Sequence, residues 1–234
     1  MIKKIIIIFS ILFFLLLGGY ALFQISKSRT FQFFGGLINR GETKEKVVAL
    51  TFDDAPSEYT DEFLKILAEK NVKATFYVIG QNLEKYPDFA KAIIENGHEL
   101  GNHSYSHRRL ILKSQKFIKN EIEKTNQLIR TFGHAGEITF RPPNGKKLFG
   151  LPWYSRQNNI RTIMWDVEPD TNFSGDVEKI VNYTLANTKP GSIILMHPFC
   201  GETCTADREA LSEIIDGLKT RGYNFVTVSE LLKY

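Results

Sequence analysis

The stretch VVALTFDDAP, residues 47–56, is an apolar, β-branched run that ends in two acidic residues and a proline. Runs of this kind are typical of a strand buried on both faces of a parallel sheet. Neighbouring side chains in a strand point to opposite faces, so Asp53 and Asp54 can converge only if the strand ends there. Pro56 predicts that end. Taken alone, an Asp-Asp pair is more often a turn or a cap than a functional site.

The rest of the chain alternates short apolar runs with amphipathic stretches, which indicates an α/β fold with a parallel sheet. The predicted strands are residues 47–51, 74–78, 99–102, 138–141, 161–165, 193–196 and 225–227. The predicted helices are residues 59–69, 83–95, 114–132, 177–186 and 208–220. About seven such units favour a closed or nearly closed (β/α) barrel, with an open doubly wound sheet as the alternative.

Ionisable residues follow five of these predicted strands. They are Asp53 with Asp54, His103, Arg141, Asp166 and His197. In both architectures the carboxyl ends of parallel strands share one rim, where ligands bind. Chance would place one or two ionisable residues there, so five predict an active site.

Two of the five histidines, His103 and His107, lie four residues apart. On a helix or helical turn they would share one face and could hold one metal ion, with a carboxylate as third ligand. Two surface histidines are the more common meaning of this spacing when it stands alone. The other candidates, His98 and His134, are interpreted as ordinary polar residues.

The N-terminal segment, residues 1–25, is a candidate membrane anchor. Lys3 and Lys4 precede an apolar run without charges that is about as long as the ~20 residues needed to span a bilayer. The lysines predict a cytoplasmic N-terminus and an extracytoplasmic domain, and a cleaved signal peptide is the alternative. Residues 26–45 are interpreted as a connector and domain edge, followed by one domain at residues 46–234.

Composition excludes some partners and leaves the cysteines open. The chain has 30 basic and 26 acidic residues, but four basic and no acidic residues lie in the first 39, so the domain is balanced. A balanced domain argues against nucleic acid as a partner, and no obligate protein partner is evident. Cys200 and Cys204 can form a disulfide, remain free or bind metal, and an extracytoplasmic location favours the disulfide.

Five motifs, FDD, HSYSH, FRPPNG, WDVEP and ILMH, occur in this order near predicted strand ends. Together they resemble the polysaccharide deacetylases of carbohydrate esterase family 4, which share the nodulation-protein-B homology domain. The resemblance covers roughly residues 33–234. It implies a distorted (β/α) barrel and a divalent metal, usually zinc, with cobalt, manganese or nickel as alternatives.

The resemblance also implies a role for each matching residue. Asp54, His103 and His107 would bind the metal, and Asp53 would be the general base. Arg141 would orient Asp53, His197 would be the general acid, and the backbone N–H of Asn144 would help to form the oxyanion site. Leu195 is expected either to contact the acetyl methyl or to pack in the core, and Trp165 either to line the site or to pack.

The chain departs from the family pattern at three places. Ala55 stands where glycine is usual, and Asn144 stands where an aromatic residue is common. The family motif D-x-x-D-W is replaced by EPDTN, residues 168–172. Asp166 and Glu168 are therefore both candidates to tune Arg141 or His197, and the missing tryptophan changes the substrate groove.

These observations predict a metal-dependent deacetylase acting on an extracytoplasmic N-acetylhexosamine polymer, peptidoglycan or a chitin-like glycan. The reaction would convert an N-acetyl group and water to acetate and a free amine. The alternatives are an O-acetyl esterase acting on a polysaccharide such as xylan, and an inactive, membrane-anchored glycan-binding protein. The protein is expected in the cell membrane, or secreted if the N-terminal segment is cleaved.

Overall fold

Parallel strands alternating with helices form the domain, and the computed structural model describes residues 2–199 and 201–234, without the side chains of residues 202 and 203. The strands are β1 Leu37–Ile38, β2 Val47–Ala55, β3 Thr75–Val78, β4 Glu99–Asn102, β5 Thr162–Ile163, β6 Ile193–Met196 and β7 Asn224–Val226. The helices are α1 Ile2–Ser26, α2 Thr60–Glu69, α3 Gly80–Lys85, α4 Pro87–Glu95, α5 Gln115–Thr131, α6 Gly150–Gln157, α7 Asp170–Phe173, α8 Val177–Asn187, α9 Thr205–Thr220 and α10 Val228–Leu231. The predicted α/β class is confirmed.

The strands run in one direction in two sheets. The larger sheet has the order β4-β3-β2-β6, with β7 also paired to β2, and the smaller sheet pairs β1 with β5. Isolated parallel bridges join Asn102 to Phe140, Phe140 to Thr162, and Val167 to Ile194. These bridges connect the two sheets, while closure into a single barrel stays a prediction.

Two predicted strands are confirmed to the residue, and one is not a strand. β4 and β6 occupy residues 99–102 and 193–196 as predicted. At residues 138–141 only Phe140 pairs, through single bridges. Pro142 and Pro143 follow directly and have no N–H with which to continue a ladder.

Strand β2 continues through both acidic residues and ends at Ala55, directly before Pro56, so the predicted strand end at Asp53 and Asp54 is wrong. The register with β3 shifts between Asp53 and Ala55, and Asp54 has a φ of 68°. An extra residue of this kind is a β-bulge, which changes the direction of the side chains around it. The bulge therefore lets the side chains of Asp53 and Asp54 converge, which the strand end was expected to do. Since the positive φ falls at Asp54, the alanine at position 55 carries no such backbone strain.

Local sequence signals explain where several helices begin and end. Pro87 divides the helix predicted at residues 83–95, because α3 ends at Lys85 and α4 starts with the proline at its first position. Helix α5 starts as predicted after Ser114, whose hydroxyl accepts the N–H of Phe117 at 3.2 Å. Helices α6, α7 and α10 were not predicted, since α7 and α10 are each 4 residues long and α6 contains Gly150 and Pro152.

Helix α1 is long and apolar enough to cross a membrane, with a mean hydropathy of 2.7 and no buried residue in its most apolar window. A signal sequence has the same properties. The end of α1 is part of the domain surface, because Ser26 is buried and its carbonyl accepts the N–H of Lys147 at 2.9 Å. The connector beyond it contributes β1 to the smaller sheet. The proposed pairing of Cys200 with Cys204 falls on Cys200, which lies outside the described residues.

Candidate metal centre and active site

The carboxyl ends of β2, β4 and β6 bring the predicted reactive residues together. Asp53 and Asp54 lie at the bulge of β2, His103 follows β4 and His197 follows β6. Arg141 follows the Phe140 bridge beside β4, and its N–H donates to the carbonyl of Asn102 at 2.9 Å. Four of the five predicted strand ends therefore meet at one rim, whereas Asp166 lies at the start of β6.

Asp54, His103 and His107 form a group whose ligand atoms all lie within 4.8 Å of one another. The Oδ1 atom of Asp54 is 3.3 Å from Nε2 of His107 and 3.7 Å from Nε2 of His103. Ligands about 2.0–2.1 Å from a tetrahedral zinc ion lie roughly 3.3 Å from each other, so these separations are near those of a bound site. The buried Oδ1 atom of Asp54 has no hydrogen-bond partner among the described residues, which leaves it available as a ligand.

The two histidines lie in a loop, so the predicted helix or helical turn is wrong. Ser104 and His107 have φ values of 67° and 54°, which a right-handed helix does not contain. Hydrogen bonds hold this loop: Oδ1 of Asn102 accepts the N–H of Ser104 at 2.7 Å, and the Ser104 hydroxyl accepts the N–H of His107 at 3.1 Å. The imidazole centroids are 4.9 Å apart.

The hydrogen bonding of His103 and the lowered pKa of His107 suit metal binding. Nδ1 of His103 is 2.8 Å from the carbonyl of Arg141. A carbonyl can only accept, so Nδ1 carries the proton and the Nε2 lone pair faces Asp54. Burial holds the pKa of His107 below its usual value. Burial therefore favours the neutral form of His107 that a metal ligand requires, and the tautomer of His103 leaves its Nε2 atom available to a metal.

A second group, Glu168, Asp170 and His197, also has its ligand atoms within 4.8 Å. In this group the polar atoms already have partners in the protein. Glu168 accepts from Trp165 and Thr171, and Asp170 accepts from His197. The group of Asp54, His103 and His107 fits a metal better, because Oδ1 of Asp54 has no hydrogen-bond partner among the described residues.

Asp53 is a buried carboxylate held by Arg141. Nη1 of Arg141 donates to Oδ1 of Asp53 and to the hydroxyl of Thr51, each at 2.8 Å. The guanidinium is fully buried and lies 4.0 Å from the ring centre of Tyr77. Burial acts to raise the pKa of Asp53, but the charges of Arg141 and His197 and the hydrogen bond from Arg141 outweigh it and hold that pKa below its usual value. Asp53 is therefore ionised at neutral pH, as a general base requires.

His197 is paired with Asp170, a residue that the sequence interpretation did not assign. Nδ1 of His197 is 2.9 Å from Oδ2 of Asp170, which is buried at the first position of α7. Burial acts to lower the pKa of His197, but the hydrogen bond and charge of Asp170, with the charges of Asp53 and Asp54, raise it to about 9. The imidazole is therefore protonated at neutral pH and can serve as an acid.

Neither carboxylate predicted to tune Arg141 or His197 has a hydrogen bond to them in the described part of the chain. Asp166 accepts from the hydroxyl of Ser192 and the N–H of Ile193, both at 2.9 Å, at the start of β6. Glu168 accepts from the indole N–H of Trp165 at 2.9 Å and pairs with Arg29. Asp170, two residues after Glu168, is the carboxylate that bonds to His197, as was expected of Asp166 or Glu168.

Asn144 and Trp165 lie next to each other at the site. Asn144 has a φ of 54°, and its backbone N–H makes no hydrogen bond within the described residues. Trp165 is buried against Gly145, where a Cβ atom would come within 2.9 Å of the indole. The Arg29 and Arg141 guanidiniums lie 4.8 and 5.5 Å from the Trp165 ring. The Trp165 ring therefore supports the turn that carries the proposed oxyanion donor.

Leu195 is fully buried in β6. It belongs to an apolar cluster that includes Tyr77, Ile163 and Trp165. This placement is that of a core residue packed beneath the site. Contact with an acetyl methyl group remains a prediction.

Comparison with known proteins identifies relatives over most of the chain. A family model described as polysaccharide deacetylase matches residues 40–163. A peptidoglycan-N-acetylglucosamine deacetylase from Bacillus cereus is 37% identical over 202 residues, which cover 86% of this chain and 71% of that protein.

Solved structures show the same similarity. The crystal structure of a peptidoglycan N-acetylglucosamine deacetylase, in complex with 4-naphthalen-1-yl-N-oxidanyl-benzamide, superposes with a TM-score of 0.79 at 35% identity, covering 84% of this chain and 92% of that one. A carbohydrate esterase family 4 pseudoenzyme from Bacillus anthracis superposes with a TM-score of 0.74 at 32% identity, covering 83% and 68% of the two chains. The fold is therefore shared by a protein described as a deacetylase and by one described as a pseudoenzyme.

Proposed function

Because the chain belongs to the polysaccharide deacetylase family, we propose that it is a metal-dependent de-N-acetylase of an extracytoplasmic N-acetylhexosamine polymer. Peptidoglycan is the first candidate substrate, since the 37% identical relative is described as a peptidoglycan-N-acetylglucosamine deacetylase. Water and the N-acetyl group would give acetate and a free amine. The enzyme would be a hydrolase of carbon–nitrogen bonds outside peptides.

The observation that carries this proposal is the unpartnered Oδ1 of Asp54 beside the Nε2 atoms of His103 and His107. Asp54, His103 and His107 would hold one divalent metal, with zinc as the first candidate and cobalt, manganese or nickel as alternatives. Three protein ligands leave a position open, and the metal would make bound water more acidic and polarise the acetyl carbonyl.

The proton transfers are assigned to residues on either side of this group. Asp53 accepts the proton of the attacking water, and Arg141 fixes its carboxylate in one orientation. When the carbon–nitrogen bond breaks, protonated His197 donates its Nε2 proton to the departing nitrogen. Asp170 accepts the hydrogen bond from the other ring nitrogen, Nδ1. The backbone N–H of Asn144 donates to the oxyanion.

The proposed location follows from α1. A 25-residue helix, with Lys3 and Lys4 in its first turn and an apolar run after them, supports a single-pass anchor with the domain outside the cytoplasm. A chain cleaved after the apolar segment would be secreted instead. Both forms would place the domain where cell-wall polymers are.

The similarity to a pseudoenzyme makes an inactive glycan-binding protein the second candidate. An intact constellation of Asp53, Asp54, His103 and His107 in this chain favours activity. An O-acetyl esterase would use the same water, base and oxyanion donor, so only the substrate distinguishes it from the proposed enzyme.

The test is metal content and acetate release measured together on the purified full-length chain in detergent. The substrates are N-acetylglucosamine oligomers, peptidoglycan and acetylated xylan, each tested with wild type and His103→Ala. About one metal ion per chain, with acetate released from an N-acetylated glycan by wild type alone, is the expected result. Release from xylan alone would favour the esterase. Absence of both metal and acetate release would favour the glycan-binding protein.

A further inference from the structure

Aromatic side chains form an exposed cluster beside the end of α1. We call Phe31, Phe33, Phe149 and Trp153 the interface patch. Ring centroids are 5.5 Å apart between Phe31 and Phe33, and 4.5 Å apart between Phe33 and Phe149. Phe34 links Trp153 to the other rings, because its ring centroid lies 5.2 Å from that of Trp153 and 6.4 Å from that of Phe33. The patch is therefore one contiguous surface built from the connector and from α6.

The exposure of this patch is unusual for the domain. Beyond α1, five large hydrophobic side chains of the described residues are exposed, and three of them belong to the patch: Phe31 at 48%, Phe149 at 43% and Trp153 at 42%. Contiguous exposed apolar surface of this kind marks a contact with another molecule or with a membrane.

The patch is fixed close to the end of the apolar helix. The ammonium group of Lys146 lies 4.9 Å from the ring centre of Phe23 in α1, and that of Lys27 lies 5.0 Å from the same ring. The N–H of Lys147 donates to the carbonyl of Ser26, and its ammonium group donates to the carbonyl of Ser28. The segment that leads into Phe149 is therefore tied to α1 on both sides of the helix end.

These contacts determine where the patch would lie if α1 spans a bilayer. The end of a membrane-spanning helix lies at the boundary between hydrocarbon and water, where tryptophan and tyrosine are enriched and lysine side chains can anchor the helix end. Lys27 and Lys146 also match the negative charge of anionic lipid headgroups. The residue types of this surface are thus those expected at a membrane interface, and its location next to the end of α1 would place it there.

We propose that the interface patch inserts into the headgroup layer of the bilayer that α1 spans. The domain is then held against the membrane surface by two contacts, the helix and the patch. This inference rests on the proposed membrane attachment. Because Asn144 and Lys146 belong to the same turn, the contact also places the site close to the lipid and directs it towards glycan near the membrane.

The two tryptophans of the chain provide the test, because Trp153 lies in the patch and Trp165 is buried beside the site. The full-length chain is reconstituted in phosphatidylcholine–phosphatidylglycerol vesicles whose acyl chains carry bromine, which quenches indole emission on contact. Trp165→Phe leaves Trp153 as the only reporter, and Trp153→Phe leaves Trp165. An alkaline wash of the vesicles first establishes that the chain is anchored.

The expected result is at least about a two-fold loss of Trp153 emission, for a ring within the outer ~5–10 Å of the bilayer, with little change for Trp165. Phe149→Ser should reduce the quenching of Trp153, whereas Tyr234→Ser, which changes an exposed aromatic residue outside the patch, should not. A chain that washes off at alkaline pH overturns the anchoring and this inference together. An anchored chain with unquenched Trp153 overturns the patch alone. A Trp153 signal that responds to N-acetylglucosamine oligomers but not to brominated lipid assigns the patch to glycan.

Discussion

Oδ2 of Asp170 lies 2.9 Å from Nδ1 of His197 and accepts the backbone N–H of the same residue. A carboxylate in this position requires a proton on Nδ1, so the Nε2 atom faces the site. The pair joins α7 to the end of β6 and raises the pKa of His197 to about 9. Asp170 therefore contributes more than Asp53 or Asp54 to keeping the proposed acid protonated.

Asp170→Asn should lower kcat/KM by about 100-fold or more, within the range of general acid–base contributions. His197 acts in its protonated form, so activity is present below the pKa of His197 and is lost as pH rises through it. Loss of the Asp170 charge lowers that pKa, and the alkaline limb of the profile should move to lower pH. Acetate release between about pH 6 and 10 measures both effects.

Asp166→Asn is the matched control, because Asp166 is a half-buried carboxylate a few residues away whose hydrogen bonds go to Ser192 and Ile193. It should lower thermal stability and leave the alkaline limb where it is in wild type. An alkaline limb that moves in Asp166→Asn and stays in Asp170→Asn would contradict the assignment.

The fold was predictable where each element has a local signal of its own. Buried apolar runs identify β4 and β6 to the residue, and Ser114 identifies the start of α5. The bulge in β2 was not predictable, because a register shift depends on the neighbouring strand rather than on the sequence of β2 itself. Four-residue helices such as α7 are shorter than the periodicity that would reveal them.

The site was predictable as a set of strand ends and less so as a set of contacts. Asp53, Asp54, His103, Arg141 and His197 meet as expected. Asp170 was missed because three carboxylates lie close together after β5, at Asp166, Glu168 and Asp170. Only the turn into α7 determines which one reaches His197. Spacing alone also cannot distinguish a loop from a helical turn at His103 and His107. The hydrogen bonds that the Asn102 and Ser104 side chains accept from backbone N–H groups decide it.

Removal of a proposed metal ligand should empty the site. Asp54→Ala and His107→Ala each delete one of three ligands, and the loss of affinity should exceed the about 10–100-fold that loss of a supporting hydrogen bond costs. Metal content after equilibration with zinc, measured by mass spectrometry, should fall from about one ion per chain to near none. His134→Ala changes a half-buried histidine outside the group and should retain the metal. Equal metal content in all variants would contradict the proposed ligands.

Replacement of Arg141 should affect both stability and pH dependence. Arg141→Met leaves the buried Asp53 carboxylate unpaired, which costs about 3–5 kcal/mol when one partner of a buried pair is removed. The pKa of Asp53 is lowered in the folded protein, so its contribution to stability is present above the unfolded pKa and is lost as pH falls through the folded pKa. Without Arg141 that pKa rises, and the acid limb of acetate release should move to higher pH.

Arg161→Met provides the comparison, because Arg161 pairs with Glu137 through two hydrogen bonds on the exposed surface. Its loss should change the free energy of unfolding by less than about 1 kcal/mol and leave the pH profile unchanged. Denaturant unfolding of the full-length variants in detergent measures the difference. Similar losses in the two variants would show that burial of Arg141 has no special role.

Arg29 connects the segment after α1 to the site, and its removal should affect catalysis without touching a reacting group. The guanidinium of Arg29 stacks on Trp165 and pairs with Glu168, which holds the indole N–H. Arg29→Ala frees the ring that supports the turn of Asn144. A small displacement of the oxyanion donor should lower kcat by about 10- to 100-fold, with a smaller change in KM.

The emission of Trp165 in a Trp153→Phe background reports the same change, and it should shift in Arg29→Ala. Arg29→Lys keeps the charge but loses the planar stack, so it should lie between wild type and Arg29→Ala. Lys27→Ala removes a nearby cation that lies against Phe23 instead, and it should leave kcat and emission unchanged. If kcat of Arg29→Ala equals that of wild type although the Trp165 emission shifts, the Trp165 ring does not control the position of the Asn144 backbone N–H. Arg29 would then have a structural role alone.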